Sequence, residues 1–126
     1  MNNRKHTRLP VQVTAELLFD DLQLYRGTTQ NISFGGAYIQ LASHHDVPPA
    51  NFCQMTLVLR EEPERTAIQI KCEVVHADSN GVGLRIHAIN IDGYKDFKQL
   101  MISHTPAPDV LLEELRNNPN PSLNKG

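Results

Sequence analysis

The feature that most constrains this chain is a two-residue period that recurs in short segments, each ended by turn residues, with no helical period before Asp92. Val11, Val13, Ala15 and Leu17 alternate with Gln12, Thr14 and Glu16, as in a strand with one face buried. Asp20-Asp21 makes a turn, and Leu22 to Gln30, with Tyr25, Thr28 and Thr29, reads as the returning strand. Phe34-Gly35-Gly36 interrupts the pattern before Ala37, Ile39 and Leu41 share one face of a third strand. A loop with two prolines spans Ser43 to Asn51. Met55, Leu57 and Leu59 form a fourth strand, and the charged turn Glu61 to Arg65 leads into a fifth over Thr66 to Val75. Ser79-Asn80-Gly81 is a hairpin signal, and Val82, Leu84 and Ile86 form the last strand. Six strands joined by tight turns predict a mainly β domain, an antiparallel barrel or sandwich. Closing the sheet removes its exposed edges, which favours the barrel.

Helical spacing comes only afterwards. Asp92 is placed to cap a helix with Tyr94, Phe97 and Leu100 or Met101 on one face, which would cover a mouth of the barrel. Asp109 is placed to cap a second, short helix after Pro106 and Pro108, with Leu111, Leu112 and Leu115 on one side. That face either packs on the barrel or docks a partner. Glu113 and Glu114 lie early in it and Arg116 late, as the helix dipole favours. From Asn117 onward the chain is polar and interrupted by proline, the composition of a disordered tail. The expected organisation is a flexible segment over residues 1–8, one barrel with its helix over 9–104, and a short helix with tail over 105–126.

A chain of 126 residues suits one domain, and 40% hydrophobic with 21% charged residues is an ordinary soluble composition. The net charge of −2 disfavours a partner such as a nucleic-acid polymer or an anionic membrane surface. No run approaches the ~18 apolar residues of a membrane span, so no membrane insertion is expected and the cytoplasm is the default location. Cys53 and Cys72 form no C-x-x-C pair, and Cys72 falls on the apolar side of its strand, where a reduced thiol serves as a small hydrophobe.

Positive charge is nonetheless concentrated at one end. Arg4-Lys5-His6-Thr7-Arg8 reads R-x-x-x-R, and no acidic residue precedes Glu16. Further on, Asn31-Ile32-Ser33-Phe34-Gly35-Gly36 reads N-x-S-x-x-G. Two guanidinium forks can grip phosphate oxygens or the O6/N7 edge of guanine, and an amide and a hydroxyl can read a remaining base edge. A glycine lets backbone approach a ligand closely. The ordered pair therefore suits an anionic ligand rich in hydrogen-bonding edges. Asn31 and Ser33 also favour local turn bonds, and Gly35 and Gly36 also suit a bulge, so turn-making and binding coexist in this reading.

The two motifs, with Gly81-Val82-Gly83-Leu84-Arg85-Ile86 as a third match, resemble the PilZ domain, the bacterial receptor module for cyclic di-GMP. The likeness runs from about Arg4 to the helix near Ser103. It implies a six-stranded antiparallel β-barrel with a C-terminal helix, and ligand held at the barrel rim. By the same resemblance Arg4, Arg8, Asn31, Ser33 and Gly36 are the contacts to cyclic di-GMP, with Lys5, His6 and Gly35 as further candidates. Asn31 stands where the family more commonly has aspartate, and an amide both donates and accepts where a carboxylate only accepts. The function implied is a receptor and adaptor: the R-x-x-x-R segment orders over the ligand and alters a surface read by a downstream protein partner.

Other readings are weaker. No cofactor is expected. His44-His45-Asp46 offers adjacent ligands but no second pair at metal-binding spacing. His6 either meets a base or phosphate or stands unengaged. Ser33 is preceded by Asn31 where a nucleophile elbow needs glycine, and no G-x-x-x-x-G-K-[ST] loop occurs, so no enzyme is expected. The alternatives retained are a degenerate adaptor that binds no nucleotide, a small-barrel RNA binder, and an enzyme turning over the dinucleotide.

Overall fold

The structure is a computed structural model that describes residues 6–20, 22–41 and 51–124. The alternating segments form β1 (Thr14–Phe19), β2 (Leu24–Ile32), β3 (Gly36–Leu41), β4 (Phe52–Arg60), β5 (Thr66–Ala77) and β6 (Gly81–Asn90). They are ordered β3-β2-β1-β4-β5-β6, every pairing among them is antiparallel, and β3 also pairs with β6. The sheet is therefore a closed six-stranded barrel. Ala15, Leu17, Met55, Leu57, Ile68, Ile70, Leu84 and Ile86 fill its interior, each no more than 2% exposed.

The seam between β3 and β6 has glycine at both ends, Gly36 opposite Arg85 and Gly81 opposite Gln40. A Cβ on Gly36 would sit 2.5 Å from the Leu84 carbonyl oxygen, and one on Gly81 would sit 2.0 Å from that of Ile39. Closure at this spacing excludes a side chain at either position.

α1 (Ile91–Ser103) starts where β6 ends. Its cap is Asn90 rather than Asp92: the Asn90 side chain accepts from the Gly93 N–H at 2.7 Å, and Asp92 lies in the first turn. Phe97 and Met101 are fully buried, and Phe97 meets Phe34 edge-on with centroids 5.3 Å apart. This contact ties α1 to the turn after β2. α2 (Pro108–Asn117) begins with proline after Ala107, so Asp109 is likewise a first-turn residue and not the cap. Leu111 and Leu115 are buried in the main core, so this face packs on the barrel. The stretch after Asn117 differs from the expected disordered tail: β7 (Ser122–Asn124) pairs in parallel with β6 from Ala88 to Asn90, beyond the part of β6 that β3 uses.

Cys53 and Cys72 are paired across β4 and β5, both buried as free thiols, and burial pushes the Cys53 thiol up to about 12. Among the described residues no helix is long and apolar enough to cross a membrane.

Among the described residues, Leu22 in the β1–β2 turn is the non-glycine residue with a positive φ. Leu22 has φ 66° and is 79% exposed, and its N–H bonds to the Phe19 carbonyl at 2.9 Å. A branched side chain gains nothing there and crowds its own backbone. Leu22→Gly is expected to stabilise the fold by about 1 kcal/mol, read as a raised denaturation midpoint with unchanged slope.

Candidate functional site

Leu9 forms an isolated bridge to Ile32, each donating its N–H to the other's carbonyl, at 2.8 and 2.9 Å. This lays the segment from His6 to Leu9 beside the end of β2. The preceding residue, Arg8, then reaches the outward residue of β2, and its Nη1 donates to Asn31 Oδ1 at 3.2 Å. The two sequence motifs are thus in direct contact at the barrel surface. Arg4 and Lys5 lie outside the described residues, as do His44, His45 and Asp46.

The rest of N-x-S-x-x-G builds the turn. Ser33 is 4% exposed, and its hydroxyl accepts from the Gly35 and Gly36 N–H groups at 3.1 and 3.0 Å while donating to the Gly36 carbonyl at 3.3 Å. The Ser33 N–H also reaches that carbonyl at 2.7 Å. With two acceptor sites and one proton engaged, the hydroxyl is committed to holding the turn. Gly35 packs against His6: a Cβ there would lie 2.9 Å from Nδ1. His6 is 9% exposed, and its Nε2 donates to the Asn118 carbonyl at 2.6 Å. It is a buried, engaged histidine.

Strand register adds residues that no motif announces. Asn31 is opposite Tyr38, Tyr38 opposite Gly83, and Gly83 opposite His76, so one row crosses β2, β3, β6 and β5. Ala37, Ile39, Val82 and Leu84 are buried, so Tyr38 and Gly83 face outward. Gly83 leaves the space between the Tyr38 and His76 rings without a side chain. Tyr38 donates to Asp78 Oδ1 at 2.7 Å, and His76 Nε2 is 3.3 Å from Oδ2. Asp78 also receives the N–H groups of Asn80 and Gly81, at 2.8 and 3.0 Å, which shapes the β5–β6 hairpin. On the other side of the turn, exposed Arg85 is the register partner of Gly36 and lies 3.8 Å from Glu73.

The Tyr38 hydrogen bond, aided by the Asn80 and Gly81 amides, lowers Asp78 to about 2. Burial first, then the Asp78 hydrogen bond and charge, raise Tyr38 to about 12. A depressed carboxylate contributes stability above its unfolded value near 4, lost as pH falls through about 2. The raised phenol contributes stability below pH 10, lost as pH rises toward about 12. Asp78→Asn is therefore expected to bring Tyr38 ionisation down from about 12 but not fully to 10, because burial remains. Phenolate absorbance in ultraviolet titration, with Tyr38→Phe as the reference, measures this; an unmoved Tyr38 transition would refute the coupling.

The C-terminal elements touch both motifs. Glu114 of α2 accepts from the Thr7 N–H at 2.7 Å and from the Thr7 hydroxyl at 2.5 Å. Asn120 Nδ2 donates to the Phe34 carbonyl at 2.6 Å and to that of Ile86 at 3.2 Å.

The closed barrel thus carries an arginine-bearing strap laid against the polar end of β2. The model of the PilZ domain matches residues 2–103, and the chain belongs to the PilZ domain family. Among curated proteins none matches it in sequence. In structure it is similar to the PilZ domain of CeSA from a cellulose-synthesizing bacterium, at TM-score 0.62 and 15% identity, over 79% of this chain and 99% of that one. The PilZ domain of YcgR from Escherichia coli, solved with c-di-GMP, gives 0.61 and 12%, over 92% of this chain and 96% of that one. The Bacillus subtilis inhibitor of motility MotI/DgrA gives 0.60 and 15%, with 94% of this chain spanning 53% of that protein. At these identities the likeness is one of fold.

Proposed function

We propose that this PilZ domain is a cytoplasmic cyclic di-GMP receptor that passes ligand occupancy to a downstream protein. The observation carrying the proposal is the Arg8–Asn31 hydrogen bond, which brings the two motifs together on one surface. Membership of the family supports it, and the solved neighbour YcgR holds c-di-GMP. Arg4 and Arg8 grip phosphate oxygens and guanine edges with charge-assisted forks. Asn31 accepts from Arg8 through Oδ1 and offers its amide N–H groups to a base edge. Ser33 and Gly36 act through the turn they build, with Gly35 and His6 packed behind it. The row continues to Tyr38 and His76, whose rings flank the space above Gly83 and offer stacking faces to a purine. Lys5 adds charge to the same strap. Gripping the ligand draws the N-terminal segment over it, and the changed surface is what the partner reads.

The site is tested by following backbone amide resonances during titration with cyclic di-GMP. Shifts concentrated at Arg8, Asn31, Tyr38, Gly83 and His76 support the assignment. Shifts concentrated on the β1–β2 hairpin, or scattered, would move the site elsewhere.

A further inference from the structure

Thr7 and His6 lie between the two arginines of the R-x-x-x-R strap, and both are held from the far end of the chain. Thr7 gives its N–H and its hydroxyl to the Glu114 carboxylate, and the His6 ring bonds the Asn118 carbonyl. Two residues later Asn120 bonds the carbonyl of Phe34, inside the N-x-S-x-x-G turn. Leu111 and Leu115 root α2 in the barrel core, and β7 secures the following chain to β6. One C-terminal element thus holds strap and turn together, in the arrangement that sets Arg8 against Asn31.

We infer that Glu114 is a positioning residue for the ligand site, presetting the arginine strap through Thr7 without touching ligand. This rests on the receptor reading above. The exposed strap residues Thr7 and Arg8 lose backbone and side-chain freedom when they are ordered against a ligand. Holding it beforehand moves that cost from the binding step to folding, so affinity rises. Thr7 is bound to Glu114 while Arg8 faces Asn31, so the held strap already presents Arg8 at the polar end of β2, and the inference gives docking of α2 and ligand occupancy the same sign. By linkage, ligand also strengthens the hold of the strap on α2. A direct electrostatic role has the opposite sign, because a carboxylate near an anionic ligand repels it.

The experiment measures cyclic di-GMP affinity for wild type, Glu114→Ala, Glu114→Gln, Thr7→Ala and the Thr7→Ala/Glu114→Ala double variant, with hydrogen exchange on the ligand-free proteins. Glu114→Ala is expected to weaken binding about tenfold. Glu114→Gln should lose less, because the amide oxygen still accepts the Thr7 N–H. The double variant should bind no more weakly than Glu114→Ala alone, since the two residues act through one contact. In the ligand-free protein, Glu114→Ala should speed exchange at the Leu9 amide while β4 and β5 stay protected. Unchanged or tighter ligand binding by folded Glu114→Ala, or additive losses in the double variant, would overturn the inference. Leu9 exchange equal to wild type would do so without reference to ligand. Failure of wild type to bind cyclic di-GMP is a different result and refutes the receptor reading itself.

Discussion

Replacing Arg8 by alanine is expected to cut affinity for cyclic di-GMP at least a hundredfold while leaving the fold intact. Charge-assisted contacts from one guanidinium contribute on the order of 3 kcal/mol to a desolvated anionic ligand. The Arg8 side chain is exposed, and the neighbouring Leu9–Ile32 bridge uses backbone alone, so truncation removes binding chemistry and spares the core. Arg8→Lys should recover only part of the loss, because an ammonium keeps the charge but not the planar fork. Asn31→Ala should weaken binding less, and its effect should not add to that of Arg8→Ala, because the two side chains are hydrogen-bonded partners. Calorimetry gives the affinities and thermal melting checks the fold. Near-native affinity in folded Arg8→Ala would remove the strap from the site.

Gly36→Ala is expected to act on the barrel itself. The added methyl carbon would lie 2.5 Å from the Leu84 carbonyl oxygen, which is backbone and cannot swing aside. β3 and β6 must separate at the first pair of the closing seam, Gly36 with Arg85, where Ile86 also donates its N–H to Gly35. Overpacking against rigid backbone costs about 2–4 kcal/mol, which takes much of a small domain's stability. Gly83→Ala is the matched control: its Cβ would meet His76 Cβ at 3.4 Å, an ordinary contact, and stability should hold. Denaturant unfolding of the pair decides the matter. Equal stability of the two variants would show that the seam opens more easily than its geometry indicates.

The barrel was legible because one-sided burial imposes a period of two, and the period survives in β1, β3 and β5. It fails where the register shifts: irregularities between Lys71 and Cys72 carry β6 past Ile86 to a further buried Ile89, so the strand outruns its sequence signal. The two helix starts illustrate a similar limit. Asn90 and Asp92 are both good capping residues, and the choice falls to the one that the end of β6 delivers in an extended conformation. β7 is three residues long, Ser122–Asn124, too short for an alternation to announce it.

The site divides along the same line. R-x-x-x-R and N-x-S-x-x-G are local patterns, and Arg8, Asn31, Ser33, Gly35 and Gly36 all fall at one end of the barrel. Ser33 has the turn role its residue type favours. Tyr38, Asp78 and His76 share a surface only through strand register, and a single sequence carries no local trace of that. Glu114, Asn118 and Asn120 are further from view: Glu114 is 107 residues from the Thr7 it holds.

The central claim is that the strap and turn together form a receptor site for cyclic di-GMP. Its most direct test is calorimetric titration of nucleotide-free protein with cyclic di-GMP, beside GMP and cyclic di-AMP. The account predicts saturable binding of cyclic di-GMP, with the guanine-lacking dinucleotide and the mononucleotide much weaker. Absence of binding by protein shown to be folded, or equal binding of all three, would contradict it.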